Sequence, residues 1–165
     1  MHQSRQTVKT GMPTKDFDAI LARIRHFCAH QERCSQEVDL KLEQWKVSPA
    51  KIKRVKLHLV REGFLHDERF ARIFVRSKFH INKWGRNKIR YELKSRTIPD
   101  NLVSRALEEI CEEDYLLTLR ELILKKKSEM NSGKSLNIRE KIITFVSGKG
   151  YEFDLITKVL TELKI

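Results

Sequence analysis

The chain has 165 residues, 40% hydrophobic and 34% charged, which excludes compositional disorder and suits either one domain or a string of small helical units. Its 34 Lys and Arg against 22 Asp and Glu leave a formal charge of +12, which favours work at nucleic acid, at a nucleoprotein or at an acidic protein surface. The longest unbroken hydrophobic run, Ala19 to Ala22, is far short of the ~20 residues that span a bilayer, and three cysteines make no disulfide framework; a soluble, cytoplasmic protein without membrane contact is expected.

Residues 1–15 are polar, lack a signal-peptide core and read as a flexible tail. From Phe17 the pattern turns helical: Phe17, Ile20, Leu21, Ile24, Phe27 and Cys28 mark one face up to about Gln31. A second helix starts at Ser35 with Val38, Leu42 and Trp45 on its apolar edge. Ser48 and Pro49 then supply a cap and a first helical residue for a third, whose core line is Ile52, Val55, Leu59 and Leu57. Gly63 provides the left-handed stop, and Phe64 with Leu65 forms a hydrophobic staple before the next helix.

The stretch from Asp67 to Ile98 repeats the plan and holds the densest positive charge. Asp67 is the expected N-cap, and Phe70, Ile73, Phe74, Ser77 and Ile81 recur at helical spacing as the apolar face. Arg69, Arg72 and Arg76 share another stripe. After Gly85 a further helix carries the core pair Ile89 and Leu93, with Arg86, Arg90 and Lys94 in a line that no acidic residue interrupts. Ten Lys or Arg face three acids here, which is +7 of the net +12. Trp84 and Tyr91 lie among these charges, where rings can stack on bases, although Trp84 and Phe79 read first as core. Pro99 opens the next helix, which runs through Leu102, Val103, Ala106, Leu107 and Ile110 to about Glu112.

A third copy follows. Tyr115, Leu116, Leu119, Leu122 and Ile123 pattern a long helix ending in Lys125, Lys126 and Lys127, before a polar loop over 131–135. Asn137 and Glu140 resemble a capping box, Ile142, Ile143, Phe145 and Val146 pack the next helix, Gly148 and Gly150 end it, and Leu155, Ile156, Val159, Leu160 and Leu163 form the last. Leu42, Leu93 and Val146, at offsets of 51 and 53 residues, each precede by five an apolar residue at a turn, Val47, Ile98 and Tyr151. The expected fold is all-α, three tandem three-helix repeats over 16–66, 67–112 and 113–165, forming an elongated, curved molecule.

No chemistry-bearing constellation competes with the basic stripe. His26, His30 and Cys34, with Cys28, lack the four tetrahedral ligands and CxxC-type pairing of a zinc site, and a buried Cys with surface His residues accounts for them. Ser132-Gly133-Lys134-Ser135 echoes the end of a P-loop, but Ser128 replaces the required Gly and a lysine-rich helix precedes it. Glu108 with Glu109, and Glu112 with Glu113 and Asp114, read as solvated helix ends and unit junctions. No catalytic residue, metal or cofactor is expected.

The segments GFLHDERFARIFVRSKF and WGRNKIRYELKSRTI, with an FAR-x-FVRSK helix, a Gly and an I-R-x-E-L-K-x-R-x-I helix, resemble the central repeat of the RecX proteins, bacterial regulators of the recombinase RecA. Thr97 stands where that family usually carries Gly, so the chain reversal there falls to a residue that tolerates positive φ poorly. The resemblance, over roughly 17–163, implies a monomeric, non-enzymatic regulator that binds the groove of the RecA filament on single-stranded DNA and inhibits or modulates ATP hydrolysis and strand exchange. Arg69, Arg72, Arg76, Lys83, Arg86, Arg90 and Lys94 are the expected contacts to RecA or to DNA directly. The alternative is a free-standing DNA-binding helical module.

Overall fold

The computed structural model describes residues 14–130 and 137–165. Most of the tail expected over 1–15, the polar loop over 131–135 and the P-loop echo within it lie outside the described residues. Among the described residues the regular elements are α-helices: α1 (Thr14–His30), α2 (Ser35–Gln44), α3 (Pro49–Arg61), α4 (Asp67–His80), α5 (Arg86–Ser95), α6 (Asp100–Leu107), α7 (Glu112–Met130), α8 (Ile138–Gly148) and α9 (Phe153–Glu162). The chain divides after Leu65 into two compact units.

In the first unit, Leu21, Ile24 and Cys28 of α1, Val38 and Leu42 of α2 and Ile52, Val55 and Leu59 of α3 form one buried cluster. Each aliphatic side chain removed from water contributes about 1.5–3 kcal/mol, far more than any surface pair. Leu57, expected on the α3 core line, is 50% exposed. Two residues from Val55 is more than half a turn round a helix, so the two cannot share a face. Pro49 follows the cap Ser48 as expected, Gly63 ends the segment at φ +76°, and Leu65 with Phe64 closes this core.

The second unit holds α4 to α9. Its first helix is capped by His66, whose Nδ1 accepts from the Arg69 amide at 3.2 Å. The cap thus sits one residue before the expected Asp67, which instead places its charge in the first turn, against the positive end of the helix. Phe70, Ala71, Val75 and Phe79 are the buried residues of α4. Ile73 and Ile81, expected on that face, are 42% and 76% exposed. Helix α6 packs along α4, and a stripe centred on the small Ala71 permits that close approach while turning Ile73 away. α6 itself is shorter than the sequence pattern suggests: Pro99 is its cap, it ends at Leu107, and Ile110 is buried beyond it. α7, by contrast, continues through the lysine run to Met130. Asn137 caps α8 by position without a side-chain hydrogen bond, so the expected capping box does not form.

The internal repeat is visible in the backbone. Lys46, Thr97 and Gly150 take φ of +57°, +56° and +94°, and in each case the next amide closes back on a fully buried residue: Val47 N on Leu42 O at 3.0 Å, Ile98 N on Leu93 O at 3.2 Å, Tyr151 N on Val146 O at 3.3 Å. This is the left-handed helix stop that satisfies orphan carbonyls. Thr97 therefore makes the reversal despite its branched Cβ.

The two halves of the second unit meet at glycines. Gly85, the cap of α5, donates to Lys149 O at 2.8 Å, and Asn87 N donates to Gly150 O at 3.0 Å. A Cβ on Gly85 would stand 2.3 Å from Gly150 C and O, so only glycine fits. Beside this contact the fully buried Tyr115 of α7 stacks on Tyr151 at 4.9 Å and packs against Phe79 at 5.9 Å.

Candidate polyanion interface

Three arginines project from α4 away from its buried stripe. Arg69 is exposed. Arg72 donates through Nη2 to Glu68 Oε1 at 3.0 Å and lies 3.4 Å through Nη1 from Glu109 Oε1, while Arg76 Nε lies 3.5 Å from Glu109 Oε2. Glu109, from the turn after α6, thus sits between two members of the expected stripe.

The other expected contacts divide by role. Arg90 is exposed and donates to Asn87 Oδ1 at 3.4 Å. Lys94, also exposed, pairs with Asp100 at 2.9 Å. Lys83 holds a left-handed backbone at φ +56° in the α4–α5 connection. Arg86 is different: its guanidinium covers the Tyr115 ring at 4.1 Å and donates to Glu112 at 2.7 Å and to Ile110 O at 3.4 Å, and its amide donates to the Tyr115 hydroxyl at 2.9 Å. It is an anchor between the halves of the second unit and points its charge inward to the junction.

Lys78 and Lys88 surround the half-buried Trp84, at 5.1 and 4.6 Å from its ring. Neither cation belongs to the expected stripe, although a lysine on either side of a tryptophan is a signal legible in the sequence. Tyr91, on the same helix as Arg90 and Lys94, is 71% exposed. Exposed ion pairs contribute only ~0–1 kcal/mol, so Arg72, Arg76 and Lys94 can exchange Glu109 and Asp100 for a phosphate or another carboxylate at little cost. Arg86 cannot do so without opening the junction.

The remaining clusters stay local. The His26 and His30 rings lie 4.2 Å apart at a 56° tilt, and among the described residues no three His, Cys, Asp or Glu side chains gather as metal ligands. Glu109 and Glu112, two of the acids after α6, answer arginines. No helix among the described residues is long and apolar enough to cross a membrane.

Fold and face together define a class: a tandem three-helix protein whose central group carries a basic, aromatic-bearing surface. The family model described as the second three-helix domain of RecX matches residues 67–107, which span α4 to α6. The curated Regulatory protein RecX of Bacillus cytotoxicus is 28% identical over 138 residues, covering 84% of this chain and 51% of that protein. Its namesake in Clostridium acetobutylicum is 28% identical over 146 residues, covering 86% and 67%. The crystal structure of RecX from Lactobacillus salivarius superimposes with a TM-score of 0.81 at 21% identity over 91% of this chain and 97% of that one. A second crystal structure of a regulatory protein RecX gives 0.78 at 17% identity, over 87% and 70%. The chain is thus similar, over most of its length, to proteins named Regulatory protein RecX. It spans about half the length of the Bacillus relative.

Proposed function

We propose that this protein binds the RecA filament on single-stranded DNA and restrains RecA's ATP hydrolysis and strand exchange. The observation that carries this reading is a coincidence of two features. The helices matched by the RecX family model are the ones that bear the exposed cations Arg69, Arg76, Arg90 and Lys94. On this reading the three-helix groups lie in series along the filament groove, touch more than one protomer, and hinder growth or conformational cycling. Contacts spread over two helices are additive and weaken with salt.

A second reading, direct binding of single-stranded DNA, is favoured by Tyr91, whose exposed ring shares α5 with the exposed cations Arg90 and Lys94 and is free to stack on a base. The two readings separate in one experiment. RecA's ATP hydrolysis on single-stranded DNA is titrated with this protein below one copy per RecA, beside a variant with Arg69, Arg76 and Arg90 changed to Ala and Arg86 retained. Inhibition by the native chain that the folded variant loses supports filament binding through this face. Unchanged hydrolysis with intact binding to bare DNA leaves only the DNA-binding module.

A further inference from the structure

A cleft of about 390 Å³ opens between the α4–α5 connection and the α7–α8 pair, on the second unit. Ile81, Asn82 and Lys83 form one wall, Leu122, Lys125, Lys126 and Glu129 another, with Phe145 and Lys149 completing it. Four lysines therefore share a space with a single carboxylate. That carboxylate is already engaged, because Lys126 Nζ lies 3.2 Å from Glu129 Oε2. Among the described residues, Lys83, Lys125 and Lys149 have no carboxylate partner.

Helix geometry alone does not gather these charges. The helix dipole acts over the last turn of α7, whose basic residue is Lys127, and so does not itself place Lys125 and Lys126. Nor does it account for Lys83, which reaches the cleft from a connection held at φ +56°, or for Lys149, which arrives from the turn after α8 and donates to Asn82 O at 3.2 Å. The Phe145 ring lies beneath two of the ammonium groups, with Lys126 at 5.2 Å and Lys149 at 5.6 Å. These contacts hold the lysines over an apolar floor in place of carboxylates.

We infer that this cleft is a binding site for a multiply charged phosphoanion, supplied either by a free nucleoside triphosphate or by successive phosphates of a single-stranded nucleic acid. The cleft volume falls in the ~300–1,000 Å³ range of small-ligand sites. Three uncompensated ammonium groups converging from separate elements match a ligand of several negative charges, each oxygen accepting a charge-assisted hydrogen bond. The cleft shares Lys83 with the α4–α5 connection but takes its other cations from α7 and the turn after α8, and phosphoanion binding there does not depend on filament binding.

The test uses the full chain at low ionic strength and calorimetric titration with inorganic tripolyphosphate, adenosine triphosphate and a short oligothymidylate. The site variant is Lys83→Gln with Lys125→Gln, and Lys125→Glu alone serves as a second. The charge-matched control is Lys53→Gln with Lys158→Gln, two exposed lysines away from the cleft. Circular dichroism and melting confirm that each variant is folded. The expected result is one-to-one binding that weakens about tenfold or more in the site variants and stays unchanged in the control. The tighter of the nucleotide and oligonucleotide arms identifies the source of the phosphates. Equal weakening in site and control pairs, or no binding of any of the three probes, would overturn the assignment.

Discussion

The phenol of Tyr115 donates to Glu152 Oε2 at 2.7 Å and, from the same oxygen, accepts the Arg86 amide at 2.9 Å. One buried hydroxyl on α7 thereby ties the start of α5 to the start of α9. Tyr115→Phe keeps the ring but leaves the Arg86 N–H and the Glu152 carboxylate without this partner. It is expected to cost about 1–3 kcal/mol in urea denaturation. The neighbouring Tyr151 hydroxyl is buried without a hydrogen-bond partner among the described residues, so Tyr151→Phe is expected to be neutral or mildly stabilising.

The same pair predicts a dependence on pH. Burial, and then the nearby Glu152, push both phenols well above the ordinary tyrosine range. A folded pKa raised above the unfolded one gives stability that is complete below the unfolded value of ~10 and lost as pH climbs from there toward the folded value. Denaturation midpoints measured from pH 8 to 12 should fall above about pH 10, and the fall should be shallower in the Tyr115→Phe, Tyr151→Phe double variant.

Gly85→Ala tests the close approach of the two halves. The new Cβ would press on Gly150 C and O at 2.3 Å and on Tyr151 N at 2.4 Å, all backbone atoms that cannot rotate away. Overpacking of this kind costs about 1–3 kcal/mol, or ~4–8 °C per kcal/mol in melting temperature for a unit of this size. Gly148→Ala meets nothing within 4 Å and should be neutral or slightly stabilising. A similar loss in both variants would show that helix-end entropy, and not contact, sets the effect.

Thr97→Gly should stabilise. A β-branched residue at φ +56° is strained by about 1–2 kcal/mol, and Thr97 is exposed, so its side chain offers little packing in return. Allowing for the greater freedom of Gly in the unfolded chain, a gain of about 0.5–1 kcal/mol is expected. Lys46→Gly, at the equivalent turn but without branching at Cβ, should gain less. Chemical denaturation of both variants decides the matter.

What the sequence made legible is local, and what it hid is long-range. The turns at Lys46, Thr97 and Gly150 could be read because each follows its own helix by a fixed step, and the hydrogen bond that closes each turn spans only five residues. The buried face of α4 departs from its apolar pattern because Ile73 and Ile81 are apolar yet exposed, while the small Ala71 and Val75 are fully buried. The sequence of α4 and α5 sets against the charge stripe only the acids of its own helices. Glu109, Glu112 and Asp100 come from later segments and neutralise part of it, and the roles of Arg86 and Tyr115 depend on a contact across 29 residues.

The three cysteines should react at very different rates. Cys34 is fully buried and Cys28 is nearly so, and burial pushes the Cys28 thiol up to about 11, which leaves almost no thiolate at neutral pH. Cys111 is exposed, with its sulfur 2.7 Å from Glu113 Oε2. A colorimetric thiol reagent should titrate one fast thiol in the native chain and three in denaturant, and Cys111→Ser should abolish the fast phase. A fast phase of two or more would mean that the first unit opens on the timescale of labelling.

Glu109→Gln offers a gain-of-binding test of the basic face. Glu109 lies between Arg72 and Arg76, within 3.5 Å of both, so removing its charge releases two guanidinium groups toward solvent at once. The stability cost should stay near or below ~1 kcal/mol, because both arginines remain substantially exposed and water screens the lost pairs. Binding to a polyanionic or acidic partner should tighten several-fold at low salt and converge with the native chain as salt rises past about 0.3 M, where the Debye length shrinks to a few ångströms. Filament affinity of native and variant chains, measured across a salt series, checks both the direction and the convergence. If the variant binds no more tightly at any salt concentration, Arg72 and Arg76 do not face the partner, and the contact must be sought on the side of Arg90, Tyr91 and Lys94.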